Sequence, residues 1–249
     1  MKRYSRNMLY LSEEEQTKIR SFRILLGGAG IGSVIAECAL RFGFESITIV
    51  DGDKVELSNL NRQNYVSGDI GKYKAECLGK RLKRINSQAD IRIVNEFITK
   101  DNIDEIISGN DIAINALDFT SNIPFLFDKK CSEKGIYVLH PYNLGWAGML
   151  TIIKPNGYQI SELSDGKYKG FELKIAEYVS RYSTFWNMEK EWLANVIERF
   201  KKENIKSPPQ LSVASWIIAG HCVNAMFNIA TGRTVKCFPK FYMSSLLCE

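Results

Sequence analysis

The chain has 249 residues, 45% of them hydrophobic and 24% charged, enough to bury a full core with no low-complexity tract. Its net charge of +5 is mild and dispersed, which argues against a dedicated nucleic-acid binder, and the start, MKRYSRNMLYLSEEE, lacks the apolar core of a signal peptide. Six cysteines, at 38, 77, 131, 222, 237 and 248, are spread without a C-x-x-C pair, a pattern that reads as reduced thiols in a cytoplasmic protein rather than a disulfide frame.

In chain order, residues 3–9 are expected to form an extended arm carrying two cations, Arg3 and Arg6. Ser12 with Glu15 makes a capping box that opens a short helix ending near Arg20. Residues 24–26 form an apolar strand that stops at Gly27-Gly28-Ala29-Gly30-Ile31-Gly32. Beyond it, Ile35, Ala36, Ala39, Leu40 and Phe42 recur at helical spacing. Glycines let the backbone turn tightly and a ligand approach closely, and the helix start favours an anion. The pattern is one substitution from the dinucleotide fingerprint, with Ala29 where some variants have glycine; alone it also fits a turn that binds nothing. The second strand, residues 47–50, ends at Asp51 and Asp53, placed to accept hydrogen bonds from a ribose.

Beyond Asp53 and Lys54 comes Val55-Glu56-Leu57-Ser58-Asn59-Leu60-Asn61-Arg62-Gln63. A nicotinamide enzyme needs no cation beside a transferring phosphate, whereas ATP chemistry does. Lys72 and Lys74 then stand near the start of a helix marked by Ala75, Leu78, Leu82 and Ile85; the helix dipole disfavours cations there unless an anion is bound. Residues 91–94 read as a third strand, 101–108 as a helix and 111–115 as a fourth strand leading to Asp118. That carboxylate lies at the ligand-binding edge of an open α/β sheet. It can hold Mg2+ or cap a helix starting near Thr120. Residues 136–139 and 145–153 are further strands; His140, at the end of the first, fits a base, a tail contact or, more simply, a structural hydrogen bond. Met188, Trp192, Val196 and Phe200 predict one amphipathic helix within a polar, aromatic insert over residues 155–209. Residues 211–230 are long enough to span a membrane, but Trp216, Gly220, His221, Asn224 and Asn228 favour a buried core or dimer helix. The tail, residues 235–242 around Pro239, reads as an edge strand. No function is read for Cys237, and Cys248 reads as an incidental thiol.

DxDxVxxSNLNRQ, together with RYSRN at residues 3–7, resembles the ThiF/MoeB/HesA family, bacterial relatives of the ubiquitin-activating enzymes. Five signatures occur in the family's order over residues 3–153, and the match thins beyond. The resemblance implies an α/β, Rossmann-like, doubly wound and mostly parallel sheet with helices on both faces. Residues 1–21 would be an arm and short helix and 22–154 an ATP-binding core. Residues 155–249 would be a crossover insert, buried helix and C-terminal strand completing the same domain.

It also implies an ATP site. Gly28, Ala29, Gly30 and Gly32 would form the turn, Asp53 with Asp51 would hold the ribose, and Asn59, Arg62, Gln63 and Lys74 the phosphates. Asp118 would hold Mg2+, and Arg6 would reach across a homodimer into the partner's site. The reaction implied is adenylation of the C-terminal carboxylate of a small ubiquitin-like sulfur carrier or of a ribosomal peptide. No cysteine lies between Cys131 and Cys222, the region where relatives keep a reactive one, so adenylation without an own thioester is expected. The missing C-x-x-C pairs imply no zinc. The sequence also departs from the family's D-N and following arginine, since Phe119-Thr120-Ser121-Asn122 is followed by no arginine until Arg181. The alternatives are a tRNA threonylcarbamoyladenosine dehydratase-like enzyme, a non-catalytic scaffold of the same fold and, last, an NAD-dependent oxidoreductase.

Overall fold

In this computed structural model of the chain, residues 2–186, 188–203, 205 and 208–247 are described; Cys248 lies outside them. The helix α1 (Glu13–Ser21) begins at the expected box, with both Ser12 and Glu15 side chains bonded reciprocally to main-chain N–H groups. It leads into β1 (Arg23–Gly27), α2 (Gly32–Phe42) and β2 (Ser46–Val50). The chain continues through α3 (Lys74–Ile85), β3 (Asp90–Val94), α4 (Ile103–Ile107), β4 (Ile112–Asn115), α5 (Ile123–Glu133) and β5 (Tyr137–Asn143). Then come β6 (Gly148–Ile153), α6 (Phe171–Phe185), α7 (Glu191–Lys202), α8 (Ser212–Ala230) and β7 (Phe241–Ser244).

The strands form one sheet in the order β3-β2-β1-β4-β5-β6-β7. Strands β1 to β5 run parallel, and β6 and β7 are antiparallel to their neighbours. Side chains alternate across the sheet with period two. Ile24, Leu26, Ile47, Ile49, Ile112 and Ile114 face one core, shared with α2, α3 and α8. Leu25, Val50, Ala113, Val138 and Met149 face the other, shared with α4, α5, α6 and α7. The strand order reverses between β1 and β4, so their carboxyl ends diverge and leave the crevice in which such sheets bind ligands.

Helix α8 is long and apolar enough to cross a membrane by length and composition alone, and 56% of that window is buried in the protein. It packs on α2 and β6. The approach to β6 depends on Gly148, where a Cβ would come within 2.8 Å of the Ile218 main-chain nitrogen. Burial of one face against the sheet accounts for a run that polarity alone left ambiguous.

Several sequence expectations change. The arm is a short 3-10 helix, Lys2–Asn7, docked on the core: the Tyr4 hydroxyl donates to Glu45 Oε1 at 2.9 Å and the Asn7 amide to the Phe42 carbonyl at 2.8 Å. Of the expected amphipathic stripe, Trp192, Val196 and Phe200 lie on the one helix α7, Met188 is exposed ahead of it, and the insert holds a second helix, α6, besides. The face of α7 toward the cavity is Leu193, Val196, Ile197 and Phe200, a spacing of three and four, and Trp192 packs against the core beside it. In the tail, the Phe238 N–H donates to the Ile152 carbonyl and the Lys240 N–H to the Cys237 carbonyl. That turn spans Pro239, which has no N–H to give a ladder, and β7 begins only at Phe241. The helix after Asp118 starts at Ile123 with Asn122 as its N-cap, so Asp118 does not cap it.

Candidate active site

A cavity of about 1300 Å³ opens at the carboxyl ends of β1, β2 and β4, larger than the roughly 300–1,000 Å³ of a site for one small ligand. One half is lined by Gly28, Gly30, Asp51, Asp53, Asn59, Arg62, Gln63 and Lys74. The other is walled by α6 and α7 through Leu173, Ala176, Leu193, Val196, Ile197 and Phe200, with Asp118 between the two. The shape suits two reactants side by side.

The turn after β1 is built round Gly28, whose N–H donates to the Val50 carbonyl at 2.9 Å. Its φ is +94°, and a Cβ there would stand 2.4 Å from the Ala116 carbonyl oxygen. Only glycine fits. Gly28→Ala is expected to destabilise the protein by about 3 kcal/mol, read as a lower urea midpoint at unchanged m-value. A midpoint equal to wild type would show that the turn relaxes freely.

Asp51 braces this turn. Its carboxylate accepts the Ala29 N–H at 2.6 Å and the Asp53 N–H at 2.7 Å. Burial raises its carboxyl above the usual value, while those two bonds and nearby Lys74 pull the other way. Ala29 and Gly32 therefore stand behind the cavity wall: the Ala29 amide is committed to Asp51, and Gly32 opens α2. The Gln63 Oε1 is buried without a hydrogen-bond partner among the described residues.

Lys74 is the first residue of α3, 8% exposed, and its ammonium lies 3.0 Å from Asp53 Oδ2. Two residues expected at the ribose and the phosphates are thus paired directly. Lys72 turns away, donating to the Gly68 carbonyl. Asn59 is buried; its Oδ1 accepts the Glu56 N–H at 3.0 Å, which shapes the loop carrying Arg62. Arg62 donates through Nε to Gln210 Oε1 at 2.6 Å and through Nη1 to the Ser58 carbonyl and Asn61 Oδ1. Burial lowers its pKa, and the Asp118 charge opposes that. Asp118 opens onto the cavity yet is ringed by protein. Desolvation raises its carboxyl above the usual range, with Lys74 and Arg62 pulling down and Asp53 pushing up.

Arg6 is not brought to this cavity. It is exposed on the N-terminal helix and makes no hydrogen bond or ion pair among the described residues. His140 is 1% exposed and lies behind the cavity wall, with Nε2 2.8 Å from Asp128 Oδ1. Asn115 donates to the same oxygen at 2.8 Å and to the Pro124 carbonyl. The structural role of His140 is therefore the observed one. Sequence reasoning missed Gln210, Asn115 and Asp128, whose partners are set by tertiary contact and carry no local signal. No three His, Cys, Asp or Glu side chains among the described residues group to hold a metal. A lone carboxylate beside phosphate oxygens still suits Mg2+, which takes one or two protein carboxylates and completes its shell elsewhere. The orphaned Gln63 oxygen and the cleared turn at Gly28 suit a nucleotide.

Comparison with known proteins agrees with this geometry. A model of the ThiF family matches residues 4–243. A SAMP-activating enzyme E1 of Haloferax volcanii is 30% identical over 161 residues, 62% of this chain and 58% of that protein. A tRNA threonylcarbamoyladenosine dehydratase of Haemophilus influenzae is 33% identical over 210 residues, covering 83% and 77% of the two chains. Among solved structures, PaaA superposes with a TM-score of 0.71 at 21% identity, covering 98% of this chain and 79% of that one. MccB of E. coli with ATP gives 0.69 at 19%, covering 98% and 71%. At such identities the structures speak for the fold. The match to the family model, running through both halves of the cavity, makes this chain a member of the ThiF family.

Proposed function

We propose that this chain adenylates an acceptor carboxylate with ATP, releasing pyrophosphate, and that the acceptor is the C-terminus of a small ubiquitin-like sulfur carrier or of a ribosomal peptide. The observation that carries the reading is the convergence of Arg62, Lys74 and Asp118 on one cavity beside the Gly28 turn. Relatives point the same way. The sulfur carrier protein ThiS adenylyltransferase of Bacillus subtilis is 34% identical over 61% of this chain, and MccB was solved with ATP.

An acceptor oxygen attacks the α-phosphorus, and the bond from that phosphorus to the α,β-bridging oxygen breaks. The products are an acyl adenylate and pyrophosphate. The carboxylate is already ionised, so no protein base is required. What the chain supplies is position and charge. Arg62 and Lys74 offset the charge on the phosphates, and Asp53, released from Lys74 when phosphate replaces it, is free for the ribose. Asp118 would hold Mg2+, which neutralises phosphate charge when bound. An exposed Arg6, unpaired among the described residues, suits a contact across a homodimer. The described cysteines all lie above the ordinary thiol pKa through burial, which disfavours an own thioester. Zinc has no role in this scheme, and we place the protein in the cytoplasm.

Titration calorimetry tests the nucleotide half. Wild type is expected to bind Mg-ATP and not NAD, and Arg62→Ala to bind it at least about tenfold more weakly, the value of a charged hydrogen bond. Binding of NAD in preference to ATP would overturn the assignment; folded protein that binds neither would be a scaffold. The dehydratase-like reading is favoured by the match over 83% of the chain. It predicts tRNA binding that falls steeply with salt.

A further inference from the structure

The residue that most constrains Arg62 comes from the far end of the crossover. Gln210 follows Pro208 and Pro209, ends the segment between α7 and α8, and lines the cavity. Its Oε1 accepts the Arg62 Nε–H at 2.6 Å, and its carbonyl accepts the Asn61 amide at 3.4 Å. The next residue is clasped from the other side: Asn143, at the end of β5, donates to the Leu211 carbonyl at 2.8 Å and accepts the Leu211 N–H at 3.3 Å. The segment is therefore strapped between the Arg62 loop and the sheet, and prolines ahead of it limit its alternatives.

A guanidinium has five N–H donors in a fixed plane. Gln210 takes the one on Nε, while Ser58 and Asn61 take those on Nη1. Nη2 has no partner among the described residues. With Nε and Nη1 anchored, the plane cannot rotate, and Nη2 is the edge left for an anion in the cavity. Deleting the Nε anchor leaves Arg62 tied at one nitrogen, about which it can swing.

We propose that Gln210 is a positioning residue that fixes the Arg62 guanidinium for the nucleotide phosphates and so couples the crossover, which walls the acceptor half, to charge compensation in the nucleotide half. This rests on the ATP reading given above.

The test compares Mg-ATP with adenosine, which lacks phosphates, by calorimetry on wild type, Gln210→Ala, Gln210→Glu, Arg62→Ala and the double alanine variant. Gln210→Ala is expected to weaken Mg-ATP about tenfold and to leave adenosine binding unchanged. Gln210→Glu keeps the Nε acceptor but sets a negative charge against the phosphates and offsets the Arg62 charge, so it should also weaken Mg-ATP, with adenosine binding unchanged. The double variant should bind no more weakly than Arg62→Ala alone, since both act through one group. Wild-type affinity for Mg-ATP in Gln210→Ala or Gln210→Glu, equal losses for both ligands, or additive losses would each overturn the proposal. Failure of wild type itself to bind Mg-ATP would instead sink the nucleotide reading on which it rests.

Discussion

Lys74→Ala is expected to lower acceptor-dependent pyrophosphate formation by about 10²–10³-fold, the usual cost of deleting one preorganised donor at developing charge. The site is unfavourable for a cation on two counts. Lys74 is 8% exposed, and it begins α3, where the helix dipole opposes positive charge. In the structure Asp53 offsets both, and a phosphate would do so more strongly. A lysine held at such cost in the free protein contributes little to folding, so the melting temperature of Lys74→Ala should stay within a few degrees of wild type. Lys74→Arg should fail to restore turnover, because a planar fork does not fit where a compact ammonium is buried. Turnover within tenfold of wild type in Lys74→Ala would remove this residue from the reaction.

Asp118→Asn should separate activity from stability. Pyrophosphate formation is expected to fall by about 10²–10³-fold, while the melting temperature rises by at most about 3 °C. The sign follows from the direction of its shift. Desolvation raises the folded-state pKa of Asp118 above the usual carboxylate value. The folded protein therefore holds that proton more tightly than the unfolded chain, and stability is lost as pH climbs from the ordinary value through the raised one. Above the raised value the loss is complete, and an amide avoids it. Solvent reaching Asp118 through the cavity keeps the gain small. Turnover should run the other way, rising with pH as the carboxylate ionises, with an inflection above the ordinary carboxylate range. A lower melting temperature in Asp118→Asn at pH 7 would contradict this account.

The first half of the fold was legible because its local signals agree. The Ser12–Glu15 box, the Gly28 turn with its following helix, and the apolar runs of β1 to β5 each point to the same parallel sheet. The expected cavity residues Arg62, Lys74 and Asp118 do meet there, because motifs at the ends of adjacent parallel strands are forced to one edge. The second half was less legible. Helix α6 was not anticipated: Phe171, Ile175 and Val179 carry its buried stripe, but they sit among tyrosines and charges that blur the contrast. The docked N-terminal helix was missed because its order comes from Tyr4 and Asn7 reaching carbonyl and carboxylate groups some 35–41 residues away. Gln210 was invisible for the same reason, since Arg62 lies 148 residues before it. Composition says what a segment can bury, and not which distant atom will complete it.

The buried trio of Asn115, Asp128 and His140 bears on how the sheet finds its alignment. Asn115 comes from β4, His140 from β5 and Asp128 from α5, the helix that crosses between them. A one-residue slip of β5 against β4 would send His140 to the opposite face. Asp128 would then be stranded in an apolar layer with a partner missing, at a cost of roughly 1–3 kcal/mol. Apolar side chains such as Val138 and Leu139 tolerate small misalignments, whereas this trio does not. It acts as a check on register at the seam between the first βαβ half and the strands that complete the cavity.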